Sequence, residues 1–321
     1  MLLLCVLLTV QTSSPLAAAQ TLGDFRVLKS IPIAANPHGI AFSPDGTRVF
    51  VVSSAGQALT VLSSMTDTIE KTFPLADTPL GIVLTPDGQH AAISHFSADR
   101  ISRIDLKTGA IDKTLRVGGR PSLFAPTRDG RRAFISCETA NRVFEIDLEA
   151  FMVVREFETG KRPFPPAVSR DSRWLFVPAY DAGEVTIIDL AAGARVADVK
   201  VGVHPSGGTA LPTGQGYLVA NRGSNSISVI DPATKAVQRM LQAGLEQEPF
   251  SIVLSPDGRL GFVNHTGSAS VAVLDIERFA VVGRIPVGRQ PIVMAVHPAG
   301  RKLYVSCEGS HELTVVALPK G

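Results

Sequence analysis

The sequence predicts an all-β chain folded as a seven-bladed propeller of four-stranded antiparallel blades, its ring closed by an N-terminal strand that completes the last blade. Three observations predict this fold. A Pro-Asp-Gly turn returns at a near-constant interval, four short strand-like runs fill each interval, and the last repeat ends one strand short while a matching run stands near the N-terminus.

The turn is first met in Ser43-Pro44-Asp45-Gly46-Thr47-Arg48. Proline presets φ, aspartate bonds its own backbone, and glycine supplies positive φ. Val49-Phe50-Val51, which follows, is β-branched and aromatic, as strands are. The Asp position falls at Asp45, Asp87, Asp129, Asp171, Thr213, Asp257 and Ala299, in steps of 42, 42, 42, 42, 44 and 42 residues. Such a period belongs to a propeller or a solenoid. The next residue is glycine in every copy except Ser172.

Within a copy, a proline opens the first strand, as in Pro79-Leu80-Gly81-Ile82-Val83-Leu84. After the turn comes a second strand, such as Ala133-Phe134-Ile135-Ser136, and then a polar loop, such as Asn221–Ser226. The third strand ends in aspartate, as in Ile227-Ser228-Val229-Ile230-Asp231, and a tight turn leads to a fourth, as in residues 110–118. Four short antiparallel strands in about 40 residues make one blade. No apolar face of helical period competes with this reading. The final copy starts at Pro291 and has three strands, ending at Leu313–Leu318. Ile31-Pro32-Ile33 before Pro37 matches Ile285-Pro286-Val287 before Pro291, so residues 25–34 supply the missing strand.

Residues 1–19 read as a secretory signal peptide: an apolar run, Leu2–Val10, then small residues at Ala17 and Ala19 that suit cleavage. Residues 20–321 then form one propeller domain, exported to the periplasm or secreted, with no membrane span. The 31 basic and 29 acidic residues leave a net charge of +2, which gives no support for polyanion binding by the chain as a whole.

Tyr304-Val305-Ser306-Cys307, Phe134-Ile135-Ser136-Cys137 and Leu218-Val219-Ala220-Asn221, with Val229-Ile230-Asp231 after the last of these, resemble the repeat of the YVTN family of seven-bladed propellers. The resemblance covers residues 25–318. Trp-Asp and Gly-His marks are missing and Trp174 is the only tryptophan, so the repeat is not of the WD40 kind. The resemblance implies a periplasmic or surface binding protein. More distantly, the haem-binding propeller of dissimilatory nitrite reductases looks related, and one family member is associated with single-stranded DNA.

Two rings of loop residues are candidates for chemistry. At the end of strand two stand Ser53, His95, Cys137, Ala179, Asn221, His265 and Cys307. His95, Cys137, His265 and Cys307 are metal-ligand types, but they fall in blades two, three, six and seven and should pack between blades instead. Cys137 and Cys307, nearly opposite each other, are too far apart for a disulfide.

The second ring flanks the proline that opens each first strand. Arg120, Arg162 and His204 precede it in consecutive blades and form a cationic arc suited to a carboxylate or phosphate. Arg222 adds to the arc, His38 faces it across the mouth, and Phe164 and Phe250 offer stacking surface. His311 and Glu308 reach toward the same mouth. The recurring Asp105, Asp147, Asp189, Asp231 and Asp275 read as turn formers on the far face, where His90 and His297 should be exposed.

The leading expectation is a monomeric binding or scaffold protein that takes a small anionic ligand or a protein partner at the mouth. A second is an oxidoreductase or cofactor-handling protein with haem or copper, with His38 or His204 as the axial or acid–base group. A lactonase-type hydrolase and a single-stranded DNA binder are further alternatives, without a catalytic motif or a charge excess to support them.

Overall fold

The computed structural model describes residues 25–212, 214 and 216–319. The leader read at residues 1–19 and the marker Thr213 lie outside the described residues. Seven four-stranded antiparallel sheets form a ring. Strand β1 (Arg26–Pro32) comes first and belongs to the last blade. Blade one is β2 (Pro37–Phe42), β3 (Arg48–Ser53), β4 (Ala58–Ser63) and β5 (Thr68–Pro74). Blades two to six are β6–β9 (79–116), β10–β13 (121–158), β14–β17 (167–200), β18–β21 (205–241) and β22–β25 (249–286). Blade seven combines β26 (Pro291–Val296), β27 (Lys302–Cys307) and β28 (Glu312–Ala317) with β1, which pairs Ile31 with Leu313 and Ser30 with Thr314. No helix among the described residues is long and apolar enough to cross a membrane.

The first strand of each blade is innermost and touches the first strands on either side. Strand alternation sends one face of each sheet to each neighbouring blade, so the core consists of apolar seams between blades. One seam gathers Phe50, Val52 and Leu59 of blade one with Ile82, Ile93 and Ile104 of blade two, all buried. The closing seam sets Tyr304, Leu313 and Val315 against Val49, Val51 and Leu62. There Asp67, at the β4–β5 turn, accepts hydrogen bonds from Tyr304 Oη at 2.6 Å and Lys302 Nζ at 2.7 Å. Next to it, Lys302 Nζ also donates to the Ser64 carbonyl.

Polar side chains at the penultimate position of strand two latch several seams. Ser94 donates to the Ser122 carbonyl at 2.6 Å, Asn264 to that of Ile292 at 2.9 Å, and Ser306 to that of His38 at 2.9 Å. Ser136 in blade three has the same hydroxyl, buried and without a protein partner. Its counterpart should lie in blade four, whose first strand β14 is cut to Ala167–Val168. Proline cannot donate to a sheet ladder, and Pro163-Phe164-Pro165-Pro166 therefore meets strand two only through a single bridge, Pro163 to Ala179.

The turn formers behave as the repeat predicts. Asp45 Oδ1 accepts from Ser43 Oγ and from the Thr47 amide, which holds its carboxyl down at about 2. Asp105 likewise accepts the Lys107 and Thr108 amides. His90 and His297 depart from expectation. Both are half-buried, because His297 Nε2 lies 3.0 Å from the Gly46 carbonyl and its ring packs on Phe42, while His90 Nε2 lies 3.9 Å from the Asp112 carboxylate.

The strand-two ends are fully buried between blades. Cys137 and Cys307 are both free thiols, pushed up to about 12 and about 11 by burial, and such thiols are inert. His95 Nδ1 lies 3.0 Å from the Ala76 carbonyl, while neither ring nitrogen of His265 has a hydrogen-bond partner. Among the described residues no three His, Cys, Asp or Glu side chains converge as a metal site.

Two outcomes test these seams. Asp67→Ala strands Tyr304 and Lys302, and it should lower the unfolding free energy by about 3 kcal/mol. Chemical denaturation reads this, and an unchanged midpoint would show that the closing seam does not rely on Asp67. The second test concerns pH. Burial pushes the His265 imidazole down to about 4, with Glu246 opposing and Arg284 assisting. The unfolded chain therefore takes up the proton first, near the free value of about 6.5, and stability present at neutral pH is lost as pH falls toward about 4. His265→Asn, which copies Asn221 of blade five, should flatten that part of the melting-temperature profile. Equal slopes in the two proteins would rule His265 out as the cause.

Candidate functional site

The mouth of the channel is built from two rings of loop residues whose pairing the main chain fixes. In the left-handed ring, the residue before each first-strand proline has positive φ: Asn36, Arg120, Arg162, His204, Glu248 and Gln290 have φ between 49° and 58°. In blade two the left-handed residue is Asp77, one position earlier. Left-handed backbone costs a non-glycine residue about 1–2 kcal/mol, so it persists only where the surroundings fix it. Here the preceding blade supplies the hold: the Arg120 amide donates to Asp99 Oδ1, the Arg162 amide to Asn141 Oδ1 and the Glu248 amide to Asn225 Oδ1, each at 2.8 Å. Across the closing seam the Asn36 amide donates to His311 Nδ1 at 3.3 Å.

The companion ring is the residue just after strand two: Ser54, Phe96, Glu138, Tyr180, Arg222, Thr266 and Glu308. Each of its amides donates to the carbonyl of the left-handed ring or its blade-two equivalent, as Tyr180 does to Arg162 at 3.0 Å and Arg222 to His204 at 3.0 Å. One hydrogen bond per blade therefore holds a companion-ring residue beside one at the entry to the first strand.

Blades four to six use this geometry to build a continuous aromatic and cationic surface. The Tyr180 ring stacks on His204 at 4.5 Å with planes 1° apart, and on Phe164 at 4.6 Å with planes 17° apart. Phe164 meets Phe250 edge to face at 6.2 Å. The Arg162 guanidinium lies 4.9 Å from the Tyr180 ring centre and 5.6 Å from that of Phe164, and Arg222 lies 5.7 Å from Phe250. Offset stacks and cation–π contacts each add about 0.5–1.5 kcal/mol, so this surface is held in shape before any ligand arrives.

Carboxylates set the local field. Arg162 pairs with Glu138 at 3.4 Å and Asp181 at 3.7 Å. Burial pushes the Glu138 carboxyl up, against the pull of Arg162 and Arg120. Arg222 pairs with Glu248 at 2.8 Å, and that bond, with one from Thr266, pulls the Glu248 carboxyl down. His38 Nε2 lies 3.8 Å from Glu308, whose carboxyl is lowered by the neighbouring His38 and His311 imidazoles.

The structure thus joins Arg162, Phe164, His204, Arg222 and Phe250 through Tyr180, which the sequence reading passed over. Arg120 sits over Phe96 at 4.2 Å and bounds the arc through Glu138. His38 belongs to a separate pair at the seam of blades seven and one. The signal for Tyr180, Phe96 and Glu138 was in the sequence: they are the residues after Ala179, His95 and Cys137, and Arg222 is the fourth of the set.

Among solved structures, hydrazine synthase from Kuenenia stuttgartiensis superposes with a TM-score of 0.79 over 88% of this chain and 96% of that one, at 21% identity. That likeness shows the fold. No family model matches the chain, and no curated protein matches it. The matching solved chains number 1726, so the architecture is widely shared and selects no activity by itself.

Proposed function

We propose that the chain is an exported propeller of the YVTN type that binds a small anionic ligand with a flat apolar face at the channel mouth. The observation that carries this reading is the continuous Phe164–Tyr180–His204 stack, flanked by the Arg162 and Arg222 guanidinium groups. With Phe164 buried beneath, the half-buried Tyr180 and exposed His204 rings are the part of the stack a flat ligand can reach, and a guanidinium offers paired donors to a carboxylate or phosphate. Burial raises the Glu138 carboxyl beside this arc, while Arg162 and Arg120 pull it down. The leader read at residues 1–19 supports export, and the strand-two and turn motifs support the family resemblance.

A second reading, a cofactor-handling oxidoreductase, draws on the pairing of His38 with Glu308, since a carboxylate beside an imidazole orients it for ligation or proton transfer. Hydrazine synthase, one structural neighbour, is an enzyme by name, although its likeness carries the fold alone.

Titration with 1-anilinonaphthalene-8-sulfonate, a planar aromatic anion, tests the first reading by its fluorescence. Saturable binding at one site is expected. Arg162→Ala/Tyr180→Ala/Arg222→Ala should weaken it at least about tenfold, with circular dichroism unchanged. Equal binding by a folded triple variant would overturn the reading. A Soret or copper band in protein purified from its native host, lost in His38→Ala, would favour the second reading.

A further inference from the structure

On the face opposite the mouth, a groove of about 900 Å³ runs between blades three and four. We propose that it binds a polyvalent oxyanion, a compound carrying two or more phosphate or carboxylate groups.

The first support is a departure from the repeat in these two blades alone. The residue before the turn aspartate position is Pro44, Pro86, Pro212, Pro256 and Pro298 in five blades, but Arg128 and Arg170 in blades three and four. Proline suits that position because it presets φ. Its replacement by arginine in two adjacent blades gives up that preference and adds two cations to one edge of the ring. Arg131, Arg132 and Arg173 follow in the same two turns.

The second support is Ser172. Six of the seven turns carry glycine at this left-handed position; blade four has serine there, at φ 58°. Strain of this kind marks places where a side chain has a use, and Ser172 lines the groove.

The third is how the charges are arranged. At the floor, the buried Glu145 carboxylate is held between Arg132, at 2.7 Å, and Arg155, at 2.5 Å, and Arg155 also donates to the Leu190 carbonyl across the seam. Both arginines are thereby fixed in direction. Two of the acidic residues in the lining are engaged in their own turns: Asp129 Oδ1 accepts Thr127 Oγ1 and the Arg131 amide, and Asp147 Oδ1 accepts the Glu149 and Ala150 amides, while Glu149 lines the groove as an unpaired carboxylate among the described residues. Arg128, Arg131 and Arg170 form no ion pair among the described residues, and all three are exposed. Arg128 and Arg131 line the groove with the fixed Arg132–Glu145–Arg155 cluster, and Arg170 stands at its edge, two residues before the lining Ser172. Guanidinium groups bind phosphate and carboxylate in paired fashion, and the volume suits a small molecule.

Isothermal titration of the full chain at low ionic strength, with sodium tripolyphosphate in one arm and citrate in the other, tests the proposal. Saturable binding of one equivalent is expected in at least one arm, weakening as salt is added. The stronger arm tells phosphate from carboxylate. Arg128→Pro/Arg170→Pro returns both turns to the residue used by the other five blades, and should keep the melting temperature while weakening binding at least about tenfold. Arg128→Gln/Arg170→Gln serves the same purpose should the proline variant misfold. The mouth variant Arg162→Ala/Tyr180→Ala/Arg222→Ala should bind the probe as the parent does, which separates this site from the mouth. No saturable binding in either arm, or equal binding by a folded Arg128/Arg170 variant, overturns the proposal.

Discussion

Pairing of β1 with β28 is the contact on which the remaining structure depends. A blade alone has two open edges. Inner strands that touch their neighbours around a circle protect one set, but only when the circle is complete. The chain achieves this with residues almost 300 positions apart in sequence, Arg26 opposite Ala317 and Pro32 opposite Glu312. Asp67 then ties blade one to Tyr304 and Lys302 of blade seven, so the joint is bonded along its face as well as along its edge. The outer edges are handled differently. In every blade the pairing of the outermost strand is interrupted by a bulge, as between Val61 and Leu62 or Val229 and Ile230. A bulge twists an exposed edge away from flat pairing with another molecule.

Much of this was legible in the sequence because turn chemistry is local. Pro-Asp-Gly needs only its own residues to form, so counting it counted the blades, and the run at Ile31 could be matched to Ile285 without any knowledge of contacts. The site was legible in part. Placing Arg120, Arg162 and His204 in one ring required only the same ruler. Tyr180 escaped because its importance lies in a contact between rings, set by the hydrogen bond from its amide to the Arg162 carbonyl. Residue types one position along the chain carried that information, but nothing in their spacing says that two rings face each other.

The irregular first strand of blade four has a similar history. Pro163, Pro165 and Pro166 announce that the ladder must fail there, since none can donate. What composition cannot announce is where the loss is felt: in the neighbouring blade, where Ser136 is left without the carbonyl that Ser94 and Ser306 each find. His90 and His297 failed for the converse reason. Polar residues beside turns are usually solvated, but His297 is covered by Gly46 and Phe42 of blade one, and His90 by Asp112 of its own fourth strand.

The left-handed ring at the mouth separates two tasks that most binding surfaces combine. Asp99, Asn141 and Asn225 bond to amides, which every residue except proline possesses, whatever its side chain. Conformation at these positions is therefore set by the blade behind, and Arg120, Arg162 and Glu248 can share one backbone shape while differing in size and charge. A lineage of such rings can exchange chemistry at the mouth without renegotiating its scaffold. For the same reason the mouth is a natural place to install recognition by choice: a set of addressable sockets whose directions are known before the side chains are picked.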